Sequence, residues 1–452
     1  MKRKLLLASL SLVLPASLLF TTAFAKPAVQ PKVSAERIYA DIARLAYKDD
    51  ARVAGTEGEH QAAAFIAKKF RKMGLEVQIQ KFPFTAFINR GASLKVNQPE
   101  AKELGTHAFE YSASTPDAGI TQEIVDAGLG GPDDFSRIDA KGKIALIKRG
   151  GYTFYEKTEN AAKAGAVGVL IYNNVSGTIN GTLGQPSSIP ALALSDVDGV
   201  YLKGLLDQGS QVVVTMKADT EIRQSYSQNV IATLKADQKA SNPKTIVLGA
   251  HYDGVDTPAA NDNASGTATM LEVARILSKK KWDHQIRFIA FGAEEAGLVG
   301  SEKYVESLTQ EQKAEIAGMI NMDMVGVGDT LYIMTAADGD QSYLVDAAEQ
   351  KAEEMGIAHA RSWSNRSDHV PFANAGIPVA FLHYAEDPNY HTDQDTLDKI
   401  QKEDLYNAGT LAAGLLADLA DEPKPRMKQG KKVSGMDEFH ALKHRHQALL
   451  TR

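Results

Sequence analysis

The stretch 245–295 constrains the fold more than any other part of the chain. It opens with an apolar, β-branched run, 245–250, that reads as a buried strand. His251 and Asp253 follow at once, and Asp262 sits in a loop rich in Gly, Asn and Asp. Over 267–277, Met270, Leu271, Ala274 and Leu277 recur at helical spacing. A second apolar run, 286–291, leads through Gly292 and Ala293 to the pair Glu294-Glu295. A histidine, a loop aspartate and two glutamates are thus delivered near strand ends that can share one edge of a sheet. In open α/β sheets that edge is where ligands bind. Imidazole with several carboxylates suits zinc or a similar divalent ion.

The rest of the chain repeats the pattern. The run 319–322 ends at Asp323, and 377–382 precedes a loop carrying Tyr390, His391 and Thr392. Before the central stretch lie a helix over 34–45 capped by Ser34, an alanine-rich helix ended by Gly74, and an alternating strand over 75–84. A closing helix spans 402–420. Between these, 103–220 has a different texture. A strand at 143–148, a helix at 155–164 and a strand at 167–172 precede a segment rich in Gly, Asn and Ser. This part carries no His cluster and no paired carboxylates, and reads as an insert in one catalytic domain. The expected division is 34–102 with 221–422 for the catalytic domain, 103–220 for the insert and 423–452 for a tail. The class is α/β.

At the N-terminus Lys2, Arg3 and Lys4 precede the apolar run 5–20, and Ala23-Phe24-Ala25 has the small-x-small form of a cleavage site. Residues 1–25 therefore read as a signal peptide, and the protein as secreted. The absence of cysteine removes thiol nucleophiles, Cys-ligated zinc and disulfides together. Net charge is -6, but the leader holds three basic residues and the tail eight Lys/Arg against two Asp/Glu, leaving the body at -15. That argues against nucleic acid as a partner. The tail reads as a solvated, cleavable extension, with contact to an anionic cell surface as the alternative. There is no Gly-x-Ser-x-Gly for a serine hydrolase and no His-Glu-x-x-His for a single-zinc protease.

Five motifs, in this order, carry a resemblance: His251-x-Asp253-Gly254, Asn261-Asp262-Asn263-Ala264-Ser265-Gly266, Gly292-Ala293-Glu294-Glu295, Asn321-x-Asp323-Met324 and Tyr390-His391-Thr392. Together they resemble the dinuclear-zinc aminopeptidases of metallopeptidase family 28, and the layout that of secreted Bacillus-type members. The insert looks like a protease-associated domain. The resemblance implies a mixed central sheet flanked by helices, of the zinc-exopeptidase kind, with a smaller β-rich α+β insert. It implies two zinc ions per chain, the first held by His251, Asp262 and Asp323 and the second by Asp262, Glu295 and His391. Glu294 is then the general base, Tyr390 the donor to the oxyanion, and Asp253 the acceptor that orients the His251 ring. Ser367-Asp368-His369 takes a supporting role, and the Asp262-Asn263 peptide is expected to be cis. Substrates are peptides with a free N-terminus. Rival readings are a carboxypeptidase or dipeptidase of the same fold, a mononuclear cyclotransferase, and a receptor-like module that kept the fold without catalysis.

Overall fold

The computed structural model describes residues 32–47, 49, 51–179 and 181–421, so the expected leader and basic tail lie outside the described residues. Its strands are β1 (Glu76–Gln98), β2 (Lys102–Leu104), β3 (His107–Ala108), β4 (Ile120–Asp126), β5 (Ile144–Lys148), β6 (Gly168–Tyr172) and β7 (Ala191–Leu194). They continue with β8 (Val213–Leu234), β9 (Thr245–His251), β10 (Gln285–Phe291), β11 (Ile316–Met322), β12 (Leu331–Thr335), β13 (His359–Trp363) and β14 (Val379–Tyr384). One sheet runs in the order β13-β12-β14-β11-β9-β10-β8-β4-β5-β6-β7-β3, with β1 on β8 and β2 on β1. At its centre β14, β11, β9 and β10 are parallel, which puts their C-terminal ends on one edge.

These strands read as unbroken apolar runs because both faces are covered. Ile246, Leu248 and Ala250 of β9 join a core with the helices Ala35–Leu45, Gly266–Leu277 and Lys402–Asp421. The alternate residue Val247 joins Ile289, Phe291, Tyr304 and Phe372 on the other face, under the helices Val299–Glu306 and His369–Asn374. The first helix is capped by the Ser34 hydroxyl, 3.4 Å from the Arg37 N–H. Helices on both faces of a mixed sheet make the chain α/β, as expected.

The insert is joined to this sheet by a long ribbon. β1 and β8 pair antiparallel from Glu76 with Thr233 to Gln98 with Val213, far beyond the strand expected over 75–84. The extra length was hard to read because the ribbon leaves the core and its exposed stretch carries Arg90, Glu221 and Arg223 among its alternating residues. The border placed at residue 220 falls inside β8. Beyond it, β4, β5, β6 and β7 form a parallel group, covered by the helix Phe154–Lys163 in one core and Asp196–Asp207 in another. Among the described residues no helix is long and apolar enough to cross a membrane.

Candidate metal centre

Four strand ends and one turn converge. His251 is the last residue of β9, Asp323 follows β11, and Glu294-Glu295 follow β10 across Ala293. His391 comes from the loop after β14. Asp262 lies in the turn Ala260–Ser265, where it (φ -109, ψ 89) and Asn263 (φ -135, ψ 51) are non-helical and joined by a cis peptide. Ala293, Met324 and His391 hold positive φ values of 55°, 57° and 55° without being glycine. Such conformations cost of order 1–3 kcal/mol each and gather where the surrounding structure over-determines them.

The asparagines around Asp262 bolt this turn to the end of β11. Asn263 Oδ1 accepts from the N–H groups of Gly266 (2.8 Å) and Met324 (3.2 Å), and its Nδ2 donates to the Met322 main-chain carbonyl (3.0 Å). Asn261 Oδ1 accepts from the Gly326 N–H at 2.9 Å. Gly266 is required here, since a Cβ would collide with the Met322 carbonyl. Asp262 and Asp323 are thereby fixed relative to each other before any ion is considered.

The ligand atoms meet as follows. His251 Nε2 lies 3.2 Å from Asp262 Oδ1 and 3.1 Å from Asp323 Oδ1. His391 Nε2 lies 3.1 Å from Asp262 Oδ2 and 3.2 Å from Glu295 Oε2. So the two oxygens of Asp262 face two different imidazoles. His251, Glu294 and Asp323 offer atoms within 4.8 Å of one another, and so do His251, Asp262 and Glu295. His391 Nε2 and Glu295 Oε1 are buried without an aligned hydrogen bond, although His391 Nε2 is close to two carboxylates. Donor atoms that approach without aligning on each other are aimed at a common centre. A hard-to-borderline dication fits that donor set of imidazoles and carboxylates.

The electrostatics say the same. Burial alone would push both imidazoles down, yet His251 is held well above its ordinary value by Asp323 and Glu294, and His391 by Glu295 and Asp262. Burial pushes Glu294 well up, with Glu295, Asp368 and Asp323 adding to it. Glu295 rises to about 7 through burial, with Asp262 adding. Asp262 resists its burial and stays low because both imidazoles contact it. Positive charge placed among these groups offsets their mutual repulsion.

A shell of main-chain contacts holds the ligands. The expectation for Asp253 needs correcting in detail. The acceptor nearest His251 Nδ1 is the Asp253 main-chain carbonyl at 3.2 Å, with the carboxylate at 3.7 Å. The carboxylate instead accepts the N–H groups of Glu294 and Glu295, each at 3.1 Å, and so ties the end of β9 to that of β10. Ser367 donates to Asp323 Oδ2 at 2.7 Å and accepts from Asn321 at 2.7 Å. His369 is pushed down to about 4 by burial and contacts the Ser364 carbonyl at 2.7 Å, which leaves it a support. Burial pushes Asp368 up to about 7, with Asp253 and Asp323 adding. Tyr390 stacks on His391 with ring centres 3.8 Å apart, and its hydroxyl lies 3.4 Å from the Arg366 guanidinium.

Three supports had no sequence signal. Asp395 accepts the N–H groups of Asn261 (2.7 Å) and Asp262 (3.0 Å). Arg52 is buried and donates to the carbonyls of Tyr252 (2.6 Å), Ala259 (2.8 Å), Pro258 (3.3 Å) and Leu45, bracing the loop after His251. Glu59 accepts from Gly55 N–H at 2.7 Å and from Ser227.

Residues 229–416 match peptidase family M28, and residues 113–202 match the PA domain. Over 426 residues the chain is 36% identical to aminopeptidase YwaD of Bacillus subtilis, covering 90% of each. A probable lipoprotein aminopeptidase of Mycobacterium tuberculosis is 32% identical, with 86% of each covered. Among solved structures, an aminopeptidase from Aneurinibacillus sp. strain AM-1 superposes with a TM-score of 0.76 at 37% identity. A zinc aminopeptidase from Bacillus subtilis superposes with a TM-score of 0.73 at 35% identity. Each of these alignments covers 87% of this chain and 97% of the other.

Proposed function

The chain belongs to peptidase family M28 and is a zinc-type aminopeptidase, and from that premise we propose that it works with two zinc ions sharing Asp262. His251 and Asp323 complete the first set, Glu295 and His391 the second. The observation that carries this reading is the placement of Asp262, with Oδ1 3.2 Å from His251 and Oδ2 3.1 Å from His391. Two zinc ions bound there supply an acidified water and a polarised carbonyl.

The remaining steps fall to the chain's own groups. Glu294 takes the proton of the attacking water and passes it to the leaving amine. A carboxyl raised by burial and by like charges, as this one is, suits a group that must both accept and return a proton. The Tyr390 hydroxyl donates to the oxyanion that develops on the substrate carbonyl. Asp253, Asp395 and Ser367 keep the groups they hold from drifting as charge moves. The carboxylates hold the free α-amino group of the peptide, which confines cleavage to the first residue. Arg361, a group that recognition of a C-terminal carboxylate could have used, is engaged by Asp346 and Glu349.

The leader motif at 1–25 supports export, and the acidic body supports peptides rather than nucleic acid as substrate. The basic tail is read as a solvated, cleavable extension, and the alternative, contact with an anionic cell surface, is tested by comparing cell retention of the full chain and a chain ending at residue 422. For the activity, zinc analysis is paired with amino-acid anilides and their N-acetylated forms. Two zinc ions per chain and cleavage of unblocked anilides alone are expected. One zinc per fully active chain, or equal cleavage of acetylated anilides, would overturn the reading.

A further inference from the structure

The turn that carries Glu294 and Glu295 is held from several sides. At its root, a Cβ on Gly292 would collide with Ser227 Oγ and the Gln228 carbonyl, so β8 lies hard against it. The N–H groups of Glu294 and Glu295 go to the Asp253 carboxylate, each at 3.1 Å. Further on the turn closes on itself. Gly297 and Leu298 N–H donate to the Glu294 carbonyl at 2.8 and 2.7 Å, and Val299 N–H to the Ala293 carbonyl at 3.1 Å. That closure requires left-handed conformations at Ala293 (φ 55°), Gly297 (φ 102°) and Leu298 (φ 62°), two of them without glycine. Such a turn keeps its shape only where its surroundings over-determine it. The Ala296 carbonyl closes none of these bonds and faces the insert.

There it meets Tyr111. The Tyr111 hydroxyl lies 3.5 Å from the Ala296 carbonyl and 3.4 Å from the Thr85 carbonyl of β1. Its ring lies against Phe87 of the same strand, with centres 5.7 Å apart. Ala296 in turn packs on the cluster that holds Phe82, Phe84, Ala86 and Ala293. The stretch 82–87 is therefore shared between the insert and the Glu294 turn. Tyr111 is itself fixed within the insert. It has a φ of 63°, and its carbonyl accepts from Ser187 N–H at 3.0 Å. Next to it, Glu110 N–H donates to the Gly181 carbonyl at 3.3 Å and the Glu110 carbonyl accepts from Leu183 N–H at 3.0 Å. Burial pushes the Tyr111 hydroxyl up to about 12, with Glu110 adding, so it stays a donor.

We propose that Tyr111 of the insert is a positioning residue for the aminopeptidase reaction, limiting through Ala296 the excursions of the turn from which Glu294 reaches the attacking water. The inference rests on the reading of Glu294 as general base. Glu295 shares the turn but is anchored by ligation once zinc is bound, whereas Glu294 has only the turn to place it. A small displacement therefore falls on the proton transfer and leaves the metals in place. The insert then contributes to the rate of the chemical step.

The test is steady-state kinetics on an unblocked Leu anilide, with zinc analysis, on the full zinc-loaded enzyme. Tyr111→Phe keeps the ring against Phe87 and removes only the hydroxyl. Loss of one neutral hydrogen bond predicts a fall in kcat of about 3–10-fold, with KM within about twofold and zinc content unchanged. The same change in the Glu294→Gln background separates positioning from general support. With the base gone, kcat should fall no further, because two changes acting through one group do not add. An unchanged kcat in Tyr111→Phe overturns the proposal, and so does an equal loss in the Glu294→Gln background. Zinc lost from Tyr111→Phe would place the effect on Glu295 and overturn it too. If Glu294→Gln keeps its zinc and loses kcat while Tyr111→Phe matches wild type, the base reading stands and only the role of Tyr111 falls. Zinc lost from Glu294→Gln alone removes the base reading and this proposal with it.

Discussion

Replacing Glu294 by Gln separates the two adjacent glutamates. The change preserves shape, so packing at this nearly buried position (9% exposed) is kept. It removes one negative charge from a group that includes Glu295, Asp368 and Asp323, all of which oppose its ionisation. Folding stability should therefore hold or rise slightly. A positioned general base contributes roughly 10²–10⁴-fold, or about 3–5 kcal/mol of barrier. That is the expected fall in kcat, with KM within a few-fold because substrate binding relies on other groups. The competing assignment is concrete, since Glu294 offers an oxygen within 4.8 Å of the ligand atoms of His251 and Asp323. Were it a ligand, the amide would cost metal affinity, and zinc would be lost along with activity. The assay is therefore steady-state kinetics on an unblocked anilide beside zinc analysis of the same preparation. Two zinc ions with kcat lowered by at least a hundredfold fit the proposal. Zinc lost in proportion to activity, or kcat within tenfold of wild type, refutes it.

Ser367→Ala leaves Asp323 Oδ2 without its 2.7 Å donor, and metal affinity should fall by about 10–100-fold, measured by competition with a chromogenic chelator. Tyr390→Phe should lower kcat by about 10–100-fold with zinc content unchanged, as expected for loss of one donor to the oxyanion, and an unaltered kcat would remove that role. Glu59 is pushed up to about 8 by burial, with Asp253 adding, from an ordinary 4.5. Between those values the folded chain holds a proton that the unfolded chain has released. This group thus makes stability fall as pH rises through the window, by at most about 5 kcal/mol. In Glu59→Gln that slope disappears, so the Tm difference between variant and wild type should move in the variant's favour from pH 5 to pH 8, and a constant difference would contradict it. Chelation of the holoenzyme should lower Tm by an amount equivalent to about 3–4 kcal/mol at a hundred- to thousandfold excess of zinc over its dissociation constant, read by calorimetry.

The parts of the fold that were legible are those with one dominant physical demand. β9, β10, β11 and β14 are covered on both faces, so their apolar runs stand out from the polar residues at their ends. Those polar residues, His251, Glu294, Glu295 and Asp323, are the ones proposed to serve the metal centre. The ribbon of β1 and β8 meets three demands in succession, packing near Phe82 and Phe84, an exposed stretch around Arg90, and the insert's core at Leu94 and Val96, so its pattern changes along its length. A sequence reading therefore stops at the exposed stretch.

The supporting shell was hidden for a different reason. Asp395, Arg52 and Glu59 all bind main-chain N–H or carbonyl groups, which every sequence offers and no motif marks. Asn261 and Asn263 were visible as letters of a motif, but their partners at Met322, Met324 and Gly326 were not. Their effect is to make the Asp262 turn an extension of β11. Asp262 is therefore set by the rigid centre of the sheet, while Glu295 and His391 arrive from loops. A change in the Asn263 contacts should consequently disturb both halves of the centre together, whereas a change at His391 should spare the half formed by His251 and Asp323. That asymmetry follows from where the backbone is bolted.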